Sequence, residues 1–284
     1  MTLVKTAWVT DSTAYLDDEL RNHPDLYTIP LTILLDGEEY SDGIDLTSAQ
    51  LFDRLKQLKN PPKTSQPSIG AFQALYEKLS ADYDQVVAVL LSGKLSGTVS
   101  SSEQAAKLVD IPVTTLDSNI LTYPMTALLK KGIALLEAGA SLESVLNQLE
   151  TIKKTNETYV LVGSLEQLHR SGRMSGLKFF LGSMLNVKPI ISIVDGALNV
   201  KEKARSEKKA KEKILDYLRS SYEQHHFKEV YILYGLHEEQ ASNWENEIKR
   251  EFPELEIVHC PLGAVIGVHA GENTLGISWH NGLK

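Results

Sequence analysis

One cysteine, Cys260, is all the chain offers in 284 residues. That excludes an intrachain disulfide and suits a reducing cytosol. No window approaches the ~18 uninterrupted apolar residues that a membrane-spanning helix needs. The opening MTLVKTAWVTDS lacks the apolar core of a secretory signal, so a cytoplasmic location is expected. No short repeat and no low-complexity tract is visible. Positive charge is in deficit: the net charge is -8, which argues against nucleic acid as a partner. Several catalytic signatures are missing as well. Gly93-Lys94 is not a P-loop, because Leu95 follows the lysine and Ala88 stands where the first glycine belongs. No Gly-x-Gly-x-x-Gly follows a strand, so a dinucleotide site is unsupported. Ser96 is flanked by Lys94 and Thr98 rather than by the glycines of a nucleophile elbow. No His-Glu-x-x-His occurs and one cysteine builds no zinc knuckle, so no metal is expected.

What is present is an ordinary globular balance, 42% hydrophobic and 23% charged. The pattern alternates strands with helices, which points to an α/β fold with a parallel sheet. The most informative stretch is Val86 to Ser102: a buried strand, a Gly/Ser loop, then a helix start. Ser92, Ser96 and Thr98 put hydroxyls on that loop, and the helix start adds free N–H groups. Both suit a carboxylate or a phosphate.

Around it, Thr6 to Thr10 reads as a first strand, with Asp11-Ser12-Thr13 capping the next helix; Asp11 is alternatively a site residue at the strand's end. Thr28 to Leu35 reads as a second strand that turns at Asp36-Gly37 into a hairpin. Ser48 to Leu58 is amphipathic. Three prolines between Pro61 and Pro67 pin a stiff loop carrying Thr64 and Ser65, and Ser68 caps a helix from Ile69 to Leu79. A first domain is expected over 1–155 and a second over 156–284. In the second, Ser164 opens a short helix into His169-Arg170-Ser171-Gly172-Arg173, and Leu177 to Leu185 should be buried. Lys201 to Lys213 reads as a solvated helix face. His269 sits among small residues that allow a close approach by ligand or backbone. Hydroxyls, one imidazole and abundant apolar helices describe a pocket with a small polar end and an oily interior. A Ser96/His269/Asp11 acyl hydrolase is the rival that the residue types allow.

Seven segments in order resemble the DegV family of fatty-acid-binding proteins, which includes the binding subunits of bacterial fatty acid kinase. They are VTDST (9–13), TSQPS (64–68), LSGKLSGT (91–98), LDSN (116–119), LHRSGRMS (168–175), LNVKPIISIVDG (185–196) and GAVIGVHAG (263–271). The resemblance spans essentially the whole chain. It implies a two-domain α/β protein, an N-terminal parallel-sheet domain and a mixed C-terminal domain covering the acyl chain. It implies a non-catalytic binder of one long-chain fatty acid such as palmitate or oleate. Thr64, Ser96 and His269 would hold the carboxylate, with Ser65 and Gly97 assisting through their backbone. A separate ATP-binding kinase subunit would phosphorylate the presented acid, and Arg170, Arg173 and Arg205 would attract the phosphate or the kinase. Transient contact with a membrane surface belongs to the same expectation. Gly271-Glu272-Asn273 departs from the family's Gly-Pro-Gly, and Glu272 is expected to face solvent in a turn.

Overall fold

A computed structural model describes residues 4–174 and 187–283. The chain divides into two compact units, residues 1–149 with 263–265 and residues 150–262 with 266–284.

The first unit is built on a four-stranded sheet: β1 (Thr6–Asp11), β2 (Leu26–Ile29), β6 (Gln85–Leu90) and β7 (Val113–Asp117), in the order β2-β1-β6-β7. All three pairings are parallel. Alternation along the strands gives the sheet two apolar faces. Ala7, Val9, Val86, Ala88 and Leu90 pack with Phe72 and Tyr76 of α3 (Ile69–Leu79) and Ala105 of α4 (Thr98–Ala106). Trp8 points the other way, onto α5 (Thr122–Glu137), where the lack of a side chain at Gly132 makes room for its ring. The remaining helices are α1 (Asp18–Arg21), α2 (Ser48–Leu55) and α6 (Leu142–Ile152).

Local signals account for many boundaries. Thr47 and Gln50 form a capping box on α2, and Ser68 accepts from the Ala71 N–H at the start of α3. Gly139 takes φ +88 after α5, as a helix stop requires. The expected strand from Thr28 to Leu35 is interrupted at Pro30, which has no N–H to offer a ladder. Beyond it, β3 (Thr32–Leu35) joins a separate antiparallel sheet with β4 (Glu38–Ser41) and β5 (Lys63–Ser65), in the order β4-β3-β5. Asp36 and Gly37, at φ 48 and 95, make the β3–β4 turn. The proline-rich segment therefore holds a three-residue strand, tolerated because β5 is an edge. The capping role expected of Asp11 is overturned: α1 starts at Asp18 and is capped by Asp17, whose carboxylate accepts from the Leu20 N–H.

The second unit carries a six-stranded mixed sheet in the order β10-β9-β8-β13-β11-β12. Its strands are β8 (Asn156–Leu161), β9 (Lys188–Val194), β10 (Ala197–Ala204), β11 (Glu229–Tyr234), β12 (Glu256–Pro261) and β13 (Leu275–His280). Only β11 and β12 pair in parallel among the described strands of this sheet. Its described residues form the helices α7 (Leu165–Arg170), α8 (Glu207–His225), α9 (Glu238–Glu251) and α10 (Ala264–Ala270). Trp244, Trp279, Phe227, Ile214 and Leu218 anchor the core, with the Trp279 and Phe227 rings stacked 5.6 Å apart. The charged run from Lys201 is not one helix face. It begins as edge strand β10, where charge protects an exposed edge, and becomes helix only at Glu207. The apolar stretch Leu177 to Leu185 lies outside the described residues.

Candidate functional site

In the first unit, the ends of β1, β6 and β7 deliver three loops to the carboxyl edge of the parallel sheet, where open α/β sheets bind ligands. Asp11 ties two of them together. Its fully buried carboxylate accepts from the Thr13 N–H (2.9 Å) and Thr13 Oγ1 (2.5 Å), and across the sheet from the Leu91 N–H (2.7 Å). Burial pushes this carboxyl up, and the bonds from Thr13 and Leu91 oppose the rise. Asp11 is thus neither a helix cap nor a free acid. It fixes where the Ser92 loop begins, and losing it would leave each of those N–H groups unsatisfied, at about 1–3 kcal/mol apiece.

From Leu91 the chain tightens. The Ser92 N–H donates to the Ile120 carbonyl (2.8 Å), and the Leu95 and Ser96 N–H groups fold back onto the Ser92 carbonyl at 2.9 and 3.1 Å. Asp117, at the end of β7, receives the Gly93 N–H (3.1 Å) and the Asn119 N–H (2.9 Å). Ser96 is thereby held on a stiff turn, half-buried, its hydroxyl 2.9 Å from Thr98 Oγ1. Gly97 occupies the N-cap position of α4 and provides no side-chain cap. The first N–H groups of α4 consequently remain open to an acceptor from outside the helix.

The Thr64 segment comes to meet this turn. β5 pairs with β3, setting Thr64 opposite Ile33 and Ser65 opposite Thr32. One residue on, the Gln66 side chain lies against Gly97, so closely that a Cβ at Gly97 would sit 2.9 Å from Gln66 Nε2. Thr64 is half-buried, whereas Ser65 is exposed with its hydroxyl donating to the Gln66 carbonyl (3.3 Å). Thr64 and Ser65 at the end of edge strand β5, and Ser96 and Gly97 on the turn into α4, therefore belong to two touching segments of one unit. Two residues beyond the Ile120 carbonyl that receives the Ser92 N–H lies a feature that the sequence did not signal. Thr122, at the start of α5, holds φ 62, an outlier for a β-branched residue, and its Oγ1 is buried without a hydrogen-bond partner.

His269 and the three arginines belong to the second unit. His269 lies in the last turn of α10, a helix not expected from the glycine-rich GAVIGVHAG. Burial pulls its imidazole down to about 4, and the nearby Arg173 guanidinium adds to the shift, so the ring is neutral at pH 7. Arg173 is half-buried and donates to the Ser171 carbonyl (2.7 Å). Arg170 is exposed and paired with Glu166 at 2.6 Å. Arg205 is exposed on a cleft of about 660 Å³, beside Lys188, Ser206, Gln240 and Asn273. Glu272 does sit in a turn, with the Thr274 N–H reaching the Gly271 carbonyl (3.3 Å). It is half-buried rather than fully solvated, and its carbonyl accepts from the Leu236 N–H (2.9 Å). Among the described residues no cluster could hold a metal ion, and no helix is long and apolar enough to cross a membrane.

Comparison with known proteins agrees with this architecture. A family model described as "Uncharacterised protein, DegV family" matches residues 5–281. Protein DegV of Bacillus subtilis is 37% identical, covering 96% of this chain and 98% of that one. The crystal structure of the Bacillus subtilis DegV, described as a fatty acid binding protein, superposes with a TM-score of 0.90 at 35% identity, over 98% and 99% of the two chains. A DegV family protein from Thermus thermophilus, described for its fatty acid binding, gives a TM-score of 0.90 at 34% identity, over 96% and 98%. With its parallel-sheet unit, its mixed-sheet unit and this match along nearly its full length, the chain belongs to the DegV family.

Proposed function

We propose that the chain binds one long-chain fatty acid, of the palmitate or oleate class, and presents its carboxylate without catalysing a reaction itself. The observation that carries this reading is the pair of touching segments in the first unit. Gln66 lies against Gly97, Thr64 and Ser96 are both half-buried, and α4 begins with no side-chain cap. Two hydroxyl donors near open backbone N–H groups match a carboxylate, which only accepts hydrogen bonds. His269, neutral at pH 7, would add a third donor without placing a fixed charge against the acid. Ser65 and Gly97 would assist through backbone groups. The tail would lie among apolar side chains, where burial contributes ~0.8 kcal/mol per methylene. The solved relatives from Bacillus subtilis and Thermus thermophilus are described as binding fatty acids, which supports the same ligand class here.

The hydrolase reading is weaker on geometric grounds. The Ser96 hydroxyl is paired with Thr98 rather than with an imidazole, and both oxygens of Asp11 are engaged by Thr13 and Leu91. In the fuller form of the proposal, an ATP-binding kinase subunit receives the presented acid, and Arg170, Arg173 and Arg205 attract it or the transferred phosphate. A reducing cytosol suits the one buried, free cysteine.

The test is extraction of the purified protein under denaturing conditions, followed by mass spectrometry. One fatty acid per chain is expected. Thr64→Val with Ser96→Ala should cut retention sharply, because each lost bond to a charged group contributes about 1.5–3 kcal/mol. Absence of lipid from the native protein, or full retention by the double variant, refutes the assignment.

A further inference from the structure

Asp42 is only 3% exposed. It follows β4, and its carboxylate accepts from three directions. Ser12 Oγ donates to Oδ2 (2.8 Å), the Val265 N–H donates to Oδ1 (3.2 Å), and the Ala264 N–H also stabilises the charged form. The Ser12 hydroxyl accepts from the Leu31 N–H (3.0 Å), which leaves its own proton for Asp42. The charged group acting on Asp42 is Asp11, at the end of β1; from α10 it meets backbone N–H groups.

Ala264 and Val265 open α10, 223 positions beyond Asp42 in the case of Val265. They are counted with the first unit, while Ile266 onward belongs to the second. α10 spans seven residues, too few for a helix to persist unaided in water. Its first N–H groups have no carbonyl partner within the helix. The Asp42 carboxylate supplies one.

We propose that Asp42 is a positioning residue of the fatty-acid site: it clamps the first turn of α10 and thereby orients His269, which sits on the last turn of the same helix. The proposal rests on the fatty-acid reading above and deepens it. The bonds from Ser12, Val265 and Ala264 favour ionised Asp42, so by linkage protonation loosens the clamp. Burial, with the Asp11 charge added, raises the carboxyl to about 6. Stability follows the opposite sign. Between the ordinary 3.8 and about 6 the folded chain binds more protons than the unfolded one, so stability falls as pH rises through that window. Asp42→Asn keeps the shape and removes the buried charge. Near pH 7 it should therefore weaken the clamp without destabilising the fold, a combination that a merely structural role does not produce.

The experiment compares wild type, Asp42→Asn and Ser12→Ala as full-length, delipidated protein. Hydrogen exchange by mass spectrometry follows residues 264–270, urea unfolding reports global stability, and cis-parinaric acid is the binding probe from pH 5 to 8. Asp42→Asn should exchange about tenfold faster across α10, with unchanged or higher urea resistance at pH 7.5 and about tenfold weaker probe binding. The wild-type affinity should fall as pH drops through about 6. That step should be absent in Asp42→Asn and displaced upward in Ser12→Ala, which loses a bond favouring the charged form. Unchanged exchange in Asp42→Asn overturns the clamp. Faster exchange with undiminished probe binding overturns its role in the site. A wild type that binds no probe at any pH refutes the fatty-acid reading and with it the role in the site, while the exchange arm still decides the clamp.

Discussion

Replacing Gly97 by alanine tests whether the two hydroxyl-bearing segments act as one receptor. The added Cβ would lie 2.9 Å from Gln66 Nε2 and 3.1 Å from its Cδ, inside contact distance. Gly97 has φ -77, so alanine meets no backbone penalty and the effect is confined to the contact and to the helix cap. Moving Gln66 off its rotamer costs about 0.5–1.5 kcal/mol. Exchanging an N-cap glycine for alanine adds up to about 1 kcal/mol. The sum, about 0.5–2.5 kcal/mol, leaves a domain of ordinary stability folded. Ligand retention should suffer more than stability. Thr64 is two residues from Gln66 and Ser96 adjoins Gly97, so spreading the segments weakens at least one carboxylate bond, by tenfold or more in affinity. Gly97→Ser separates the causes, because it restores a capping hydroxyl while keeping the Cβ. Gln66→Ala in the Gly97→Ala background removes the obstacle and should recover binding, a coupling that a double-mutant cycle measures. Retention that survives Gly97→Ala, or fails to recover in the double variant, would sink the reasoning.

Three further outcomes follow from other parts of the molecule. Arg173→Gln removes a repelling charge and should raise the His269 imidazole above its present value of about 4, followed by ring resonances in an NMR pH titration; no upward movement contradicts the assignment. Because the folded chain holds His269 below the ordinary 6.5, the unfolded chain takes up the proton first, and stability is lost between about pH 6.5 and 4, a loss that His269→Gln should flatten in urea titrations. Gly132→Ala would set a Cβ 2.8 Å from Trp8 Cη2 and 3.0 Å from Leu149 Cδ1. Overpacking of about 1–3 kcal/mol exceeds the ~1 kcal/mol helix gain, so the midpoint of thermal unfolding should fall.

Features set by neighbours in the chain were readable from residues alone. The Asp36-Gly37 turn, the Ser68 and Ser164 caps, the Gly139 stop and the strand–loop–helix around Ser96 each follow from a few adjacent side chains. What escaped depends on distant partners. Asp11 looks like a cap because it ends a strand before a hydroxyl pair, yet one of its bonds is to Leu91, 80 residues away. GAVIGVHAG gives no helix signal, because glycine and β-branched residues are poor helix formers, and Asp42 binds that helix across 223 positions. The charged stretch after Lys201 disguises an edge strand, since alternation there is overridden by charge. The left-handed backbone at Thr122 has no signature in its residue type at all.

The late return of residues 263–265 to the first unit bears on how the protein is made. A ribosome finishes the whole parallel sheet more than a hundred residues before it delivers Val265. Until then the Asp42 carboxylate has Ser12 as its side-chain donor but no amide from α10. The first unit would therefore wait with an acid that is only partly compensated, until residues 263–265 have been made. A fragment ending near residue 150 would keep that defect permanently.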